Sequence, residues 1–300
     1  MNNPTSYIGA LRNDLNTIRD LMVELLASSQ IIRETEERNP FLSLGTGRPP
    51  PPKVKYSWDE LTPEQQTLQN EILQEYEKWF HRFNILVGKA IPKQNQIEYL
   101  NLQINQWINY RQCNNKITNR PNAIRDFNSL VDEFQNELTL IENSHERNVI
   151  LIPDTNFLTE YPDIPQYKSI IDEDGFVFII TPTVLSEIDD HKLHHPNENY
   201  QNKCKAVIKR IKGWRNQGDL HSGITVDKTI TVRALAIEPK FDSLPDWLDR
   251  QNNDDRIIAS IIEIQIEYPA SVVYLITLDE NLKNKAAMAQ IPYLEPPTNN

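Results

Sequence analysis

The sequence predicts two architectures in succession, an all-α N-terminal region and an α/β C-terminal domain built on a parallel sheet flanked by helices. Three observations carry this. Apolar residues recur every three or four positions through the first half, short unbroken apolar runs alternate with helical stretches through the second, and the pattern changes near residue 147. The expected division is a helical region over 1–146, an α/β domain over 147–296 and a short tail over 297–300.

In the first segment Ile8, Leu11, Leu15, Ile18, Met22 and Leu25 alternate spacings of three and four, with Ile32 on the next register, so an amphipathic arm with a heptad seam is expected over 5–38. Pro49 to Pro52 cannot continue a helix, and a proline-rich linker is expected over 46–57. Helices should then fill 62–142. Thr62-Pro63-Glu64-Gln65 offers an N-cap, a first-position proline and a capping-box partner, and Leu68, Ile72, Tyr76, Trp79, Phe83 and Leu86 follow on one face. Two more stripes follow: Ile97, Leu100, Ile104, Trp107 and Ile108, then Ile124, Phe127, Leu130, Phe134, Leu138 and Ile141. A bundle is the natural way to bury such faces.

The runs Val149 to Ile152, Val177 to Ile180 and Val272 to Ile276 read as strands buried on both sides. Thr229 to Val232 is a weaker strand, and a short one is expected near Tyr293-Leu294, giving a sheet of about four or five strands.

Composition limits the function. The 300 residues carry 31 basic and 42 acidic side chains, net charge −11, so the surface as a whole is no generic polyanion binder. Cys113 and Cys204 stand far apart without zinc-ligand spacing, and neither GxGxxG nor GxxxxGKS occurs. With no secretory pattern and no long apolar run, a soluble, cytoplasmic protein without membrane contact is expected.

The chemistry-bearing signal is acidic. Asp154 follows the first strand of the second half, and Asp279 the last strong one. Glu187 lies one to two turns into the helix after the second, and Asp254 and Asp255 open another helix. Parallel sheets bind ligands outside the carboxyl ends of their strands where strand order reverses, so these segments can share one rim. Crowded carboxylates repel, and a hard divalent cation relieves the repulsion while preferring oxygen ligands. One or two Mg²⁺ or Mn²⁺ ions are therefore expected, with phosphodiester hydrolysis of the two-metal type as the reaction.

Residues 147 to about 295 resemble the PIN-domain family of metal-dependent nucleases. The matching segments are Asp154-Thr155-Asn156, Ser186-Glu187-Ile188-Asp189, Asn253-Asp254-Asp255-Arg256-Ile257, and Thr277-Leu278-Asp279-Glu280-Asn281-Leu282 with Lys283 following. The resemblance implies single-stranded RNA as substrate, with DNA still open. It also implies metal ligation by Asp154, Glu187, Asp279 and one of Asp254 and Asp255, Asp254 being favoured. Thr155 or Asn156 would support the first acid, with Thr277 and Asn281 as further supporting residues. The domain exceeds the minimal toxin-type version, and the helical half has no counterpart there.

Plainer readings exist for each element. A lone Asp at a helix start is commonly a cap, and Asp255 or Asp279 could be one. Lys203, Lys205, Lys209, Arg210, Lys212 and Arg215 could be a solvated helix face or a guide for a phosphate backbone, standing out in a segment of 16 basic and 23 acidic residues. His191 and His195 have i, i+4 spacing but no HExxH glutamate. The leading expectation is a metal-dependent endoribonuclease whose helical region regulates, oligomerises or docks a regulatory protein. The alternative is a catalytically inactive RNA- or protein-binding adaptor on the same fold. An aspartyl-nucleophile phosphotransfer domain fits less well, since Asp154-Thr155-Asn156 lacks a second Asp.

Overall fold

The computed structural model describes residues 5–35, 54–88, 94–109, 119–171, 173–241 and 244–295. The chain divides into two compact units, residues 10–140 and residues 1–9 with 141–300. Cys113 and the prolines at 49–52 lie outside the described residues.

The first unit is mainly helical: α1 (Tyr7–Ser28, whose first residues belong to the other unit), α2 (Pro63–Val87), α3 (Gln94–Ile108) and α4 (Arg120–Asn143). Leu11, Leu15, Ile18, Met22 and Leu25 of α1 are all buried, as their spacing predicts. Helix α2 opens with the expected capping box, Thr62 and Gln65 each bonding the other's backbone N–H. On α4 the buried line is Ala123, Phe127, Val131, Phe134 and Leu138, so the seam falls on Ala123 and Val131 rather than on the half-buried Ile124, Leu130 and Ile141. The shift selects small and β-branched residues where Phe127 and Phe134 already fill the interior. The rings of Trp79 and Phe83 stack at 5.1 Å, and both meet Phe134 edge-on. The indole N–H of Trp79 donates to the Leu11 carbonyl at 2.8 Å, so no buried donor is wasted.

Two sequence expectations need correction. The arm does not run to residue 38, because α1 ends at Ser28 and Ile31–Thr35 forms β1, antiparallel to β2 (Val54–Trp58). The hydroxyls of Ser28 and Ser29 both donate to the Leu25 carbonyl, satisfying a helix-end acceptor, and the β-branched Ile31-Ile32 favours the extended chain that follows. Residues 54–57, assigned to the linker, are therefore strand, and the region is not wholly helical.

The second unit contains a six-stranded sheet: β3 (Val149–Pro153), β4 (Phe176–Ile180), β5 (Ile224–Asp227), β6 (Ile230–Ala234), β7 (Val272–Ile276) and β8 (Tyr293–Leu294), in the order β5-β6-β4-β3-β7-β8. All pairings are parallel except β5 with β6, so the sheet is mixed, one strand wider than expected. Its interior is the apolar set anticipated for doubly covered strands, including Ile150, Leu151, Phe178, Ile180, Leu275 and Ile276. Among the described residues, six α-helices accompany the sheet: α5 (Thr155–Glu160), α6 (Lys168–Ile171), α7 (Pro182–His194), α8 (Glu198–Arg215), α9 (Asn253–Glu267) and α10 (Glu280–Met288). From β3 the chain proceeds to β4 and β6 on one side, then returns to place β7 on the other. The strand order thus reverses between β3 and β7, where an open sheet leaves a crevice at its carboxyl edge. Among the described residues no helix is long and apolar enough to cross a membrane.

Candidate active site

Asp154 and Asp279 leave the carboxyl ends of the two strands that flank this switch point. The Asp154 backbone N–H donates to the Ile276 carbonyl at 3.0 Å, fastening the end of β3 to that of β7. Thr277 then joins the two acids: its hydroxyl donates to Asp154 Oδ2, and its oxygen accepts the Asp279 backbone N–H at 2.9 Å. Both aspartates also cap helices. Asp154 accepts from the Phe157 N–H at 2.5 Å, and Asp279 accepts from those of Asn281 and Leu282 at 2.8 and 3.1 Å. Capping and site membership are compatible here, because the cap position is itself at the strand end.

Glu187, on α7, is held from two directions: the Thr155 hydroxyl donates to Oε2, and Asn253 Nδ2 donates to Oε1 at 2.7 Å. Asp254 accepts from Asn281 Nδ2 at 2.9 Å, and the Asn281 backbone N–H donates to Asp279, so one residue links the two acids. The four acidic segments are therefore joined by Thr277, Asn281 and the Thr155–Glu187–Asn253 chain.

Asp255 is different. It is only 5% exposed, its Oδ2 accepts from the Asp249 backbone N–H at 3.0 Å, and its Oδ1 lies 2.8 Å from Lys285 Nζ. Burial alone would lower the Lys285 ammonium, but the hydrogen bond to Asp255 and the charges of Asp254 and Asp255 outweigh it and raise it. Neither Asp255 nor Asp254 is the α9 cap, which is Asn252.

Electrostatics mark Asp154. At 4% exposure its carboxyl is pushed up to about 6, first by burial and further by the negative charges of Asp279 and Glu187, against the hydrogen bonds from Thr277 and Phe157. The donor set is all oxygen, the kind a hard divalent cation prefers. Among the described residues, however, no three His, Cys, Asp or Glu side chains stand close enough to enclose one ion in this arrangement.

The support expected from Thr155 or Asn156 is redistributed. The first helical turn carries Thr155 toward Glu187, and Asn156 Oδ1 accepts from the Tyr200 hydroxyl at 2.8 Å, leaving Asp154 to Thr277 and Phe157. Asn281 supports Asp254 by its side chain. Lys283, which follows the last motif, is buried and bonded to Glu280 and Glu295. Asn253, Lys285 and Tyr200 escaped the sequence reading. Asn253 stood within a quoted motif, but only the fold brings it to Glu187.

All six basic residues of α8 are exposed, opposite the buried Cys204, Val207, Ile211 and Trp214. Lys203 pairs with Glu160 at 2.5 Å. Burial raises the Tyr200 hydroxyl, with Glu187 and Asp154 adding to the shift, so the first turn of α8 feels the acids. His191 and His195 pack ring against ring at 5.4 Å, and His195 lies 4.4 Å from the Tyr200 ring.

Residues 151–295 match the family described as PIN domain. The chain is also 26% identical over 156 residues to the human transcriptional protein SWT1 (Homo sapiens), a distant relative that is itself a PIN-domain protein. That alignment covers 51% of this chain but only 16% of the relative. PIN domains are generally nucleases and typically depend on Mg²⁺ or Mn²⁺. The strand order, with acids at the strand ends beside its switch point, agrees with the PIN domain found at residues 151–295 of this chain.

Proposed function

We propose that the chain is a metal-dependent endoribonuclease acting on single-stranded RNA, with Asp154, Glu187, Asp254 and Asp279 as the metal-binding acids. The carrying observation is geometric: Asp154 and Asp279 leave the ends of adjacent strands and are joined through Thr277, while Thr155 ties Glu187 and Asn281 ties Asp254 to the same rim. When bound, one or two Mg²⁺ or Mn²⁺ ions would supply Lewis acidity for the phosphodiester and a more acidic water. The chain's own residues prepare that chemistry by orientation. Thr277 and the Phe157 N–H fix the two oxygens of Asp154, Thr155 and Asn253 fix those of Glu187, and Asn281 fixes Asp254. Asp255 holds Lys285 and serves the frame of α9. The exposed cations of α8 would guide the phosphate backbone, and the helical region would regulate, oligomerise or dock a protein partner.

Cleavage of labelled single-stranded RNA in Mn²⁺, abolished by chelation and restored by readdition, is the expected result, and a parallel DNA panel sets substrate class. Equal cleavage with and without chelator would overturn the reading. One observation favours the second reading, an inactive binding domain: the carboxylates are already committed to hydroxyl and amide donors, and no three acids enclose a common point among the described residues. Calorimetric titration separates the two, since an adaptor takes up no Mn²⁺ at millimolar concentration.

A further inference from the structure

The cations of α8 are not equivalent. Lys203 is tied to Glu160, and Lys205 meets only the neutral Asn202, at 3.4 Å. Among the described residues no acid pairs with Lys205, Lys209 or Lys212, and after Glu198 in its first turn the helix itself holds no acid. These three lysines follow one another at i, i+4 and i+7, so they form one exposed stripe, opposite the buried Cys204, Val207, Ile211 and Trp214. The end of a helix favours cations, which accounts for Lys212 in the last turn but not for Lys205 and Lys209. Like charges three or four residues apart also work against a bare helix, and an anion lying along them removes that penalty.

The stripe is anchored to the acidic crevice at one end. In the first turn of α8 the Tyr200 hydroxyl donates to Asn156, two residues from Asp154. Beyond the last turn, the Leu220 carbonyl accepts from the N–H of Ala234, the final residue of β6. The helix therefore leads from the end of β3 toward that of β6, two strands away in the sheet. At a rise of about 1.5 Å per residue, Lys205 stands about 8 Å and Lys212 about 18 Å along the axis from Tyr200. Stacked nucleotides advance about 3.4 Å each, so the stripe spans roughly the second to the fifth nucleotide from the crevice.

We propose that Lys205, Lys209 and Lys212 hold the backbone of single-stranded RNA over that stretch on one side of the bond to be cut, which makes the enzyme selective for strands long enough to reach them. This assignment deepens the nuclease reading of the crevice and rests on it, but its test reads binding without cleavage. Fluorescein-labelled trinucleotide and dodecanucleotide RNAs are titrated against the full chain in EDTA and followed by anisotropy over a range of salt concentrations. The parent should bind the longer strand far more tightly. Lys209→Gln combined with Lys212→Gln should weaken that binding by about tenfold, close most of the gap to the trinucleotide, and flatten the logarithmic salt dependence by about 0.7 per cation removed. Lys209→Arg combined with Lys212→Arg should restore it, and thermal melts of the glutamine variant should be unchanged or raised, which a structural role would not give. Lys78→Gln, at an exposed lysine of the helical unit, is the charge control and should alter neither affinity nor slope. Equal affinity and slope in the parent and the glutamine variant would overturn this assignment, whether or not Mn²⁺-dependent cleavage is seen. Length-dependent binding that is lost with the stripe, without metal-dependent cleavage, would overturn only the nuclease reading, and a parent protein that binds no strand would overturn both.

Discussion

In the helical unit the buried side chains among the described residues are apolar or aromatic but for Ser29, and the polar atoms of Trp79 and Tyr76 reach a carbonyl and Asn101. In the α/β unit Asp154, Thr155, Thr181, Thr183, Asp255, Thr277 and Lys283 are all buried, and several sit where strands end and helices begin. The first pattern is what stability alone requires. The second keeps charge out of water at a free-energy cost, which evolution tolerates where charge is needed for chemistry.

The sharpest test of that contrast is a pair of substitutions with opposite signs. Asp154→Asn should abolish Mn²⁺-dependent cleavage, about a thousandfold or more, yet stabilise the chelated protein at pH 8 by about 1–3 kcal/mol. The sign follows from Asp154 lying above its ordinary value when folded. Above about pH 6 it is ionised in both states and burial works against the fold; between about 6 and 4 the native state binds the extra proton, so this group destabilises less as pH falls. The advantage of Asp154→Asn should therefore fade on acidification. Trp79→Ala, by contrast, should cost about 3–5 kcal/mol at every such pH, since it empties the space shared with Phe83 and Phe134. Denaturant unfolding from pH 4 to 8 measures both, and a destabilised Asp154→Asn would break the contrast.

Within the α/β unit the same reasoning separates adjacent aspartates. Asp255→Asn should cost about 2 kcal/mol, the low side for a broken buried pair, because Lys285 retains Asp254 at 3.4 Å. Asp254→Asn should change stability by less than about 0.5 kcal/mol, while lowering cleavage by more than about a hundredfold, beyond what outer-shell changes usually cost. Unfolding midpoints and initial rates on the two variants decide it. A reversal would make Asp255 the ligand.

Much of this was legible because it is periodic or local. The α1 stripe, the Thr62 capping box and the buried strands follow from side-chain spacing and turn chemistry, and the strand-end acids could be assigned to one rim from topology rules alone. What escaped depends on tertiary partners. Ile31–Thr35 pairs with a segment about twenty residues further along the chain, across prolines that look like a terminator. The buried seam of α4 was decided by ring packing, which no count of apolar residues contains. Thr155 serves Glu187, and Asp255 serves Lys285, only because α7, α9 and α10 arrive beside them.

The smallest expected effect concerns caps, where the two units use the same local chemistry for different ends. Thr62 caps α2 with its side chain exposed and a 3.3 Å bond to the Gln65 N–H, so Thr62→Ala should cost about 0.5–1 kcal/mol and nothing more. Asp279 caps α10 with two backbone bonds, and asparagine caps as well as aspartate. Asp279→Asn should therefore leave the unfolding midpoint within about 0.5 kcal/mol while removing cleavage, whereas Asp279→Ala should lose cleavage and about 1 kcal/mol besides. Were Asp279 only a cap, Asp279→Asn would be silent in both measurements. Its rate in Mn²⁺, set beside its urea midpoint, thus distinguishes an acid that starts a helix from one that also faces the crevice.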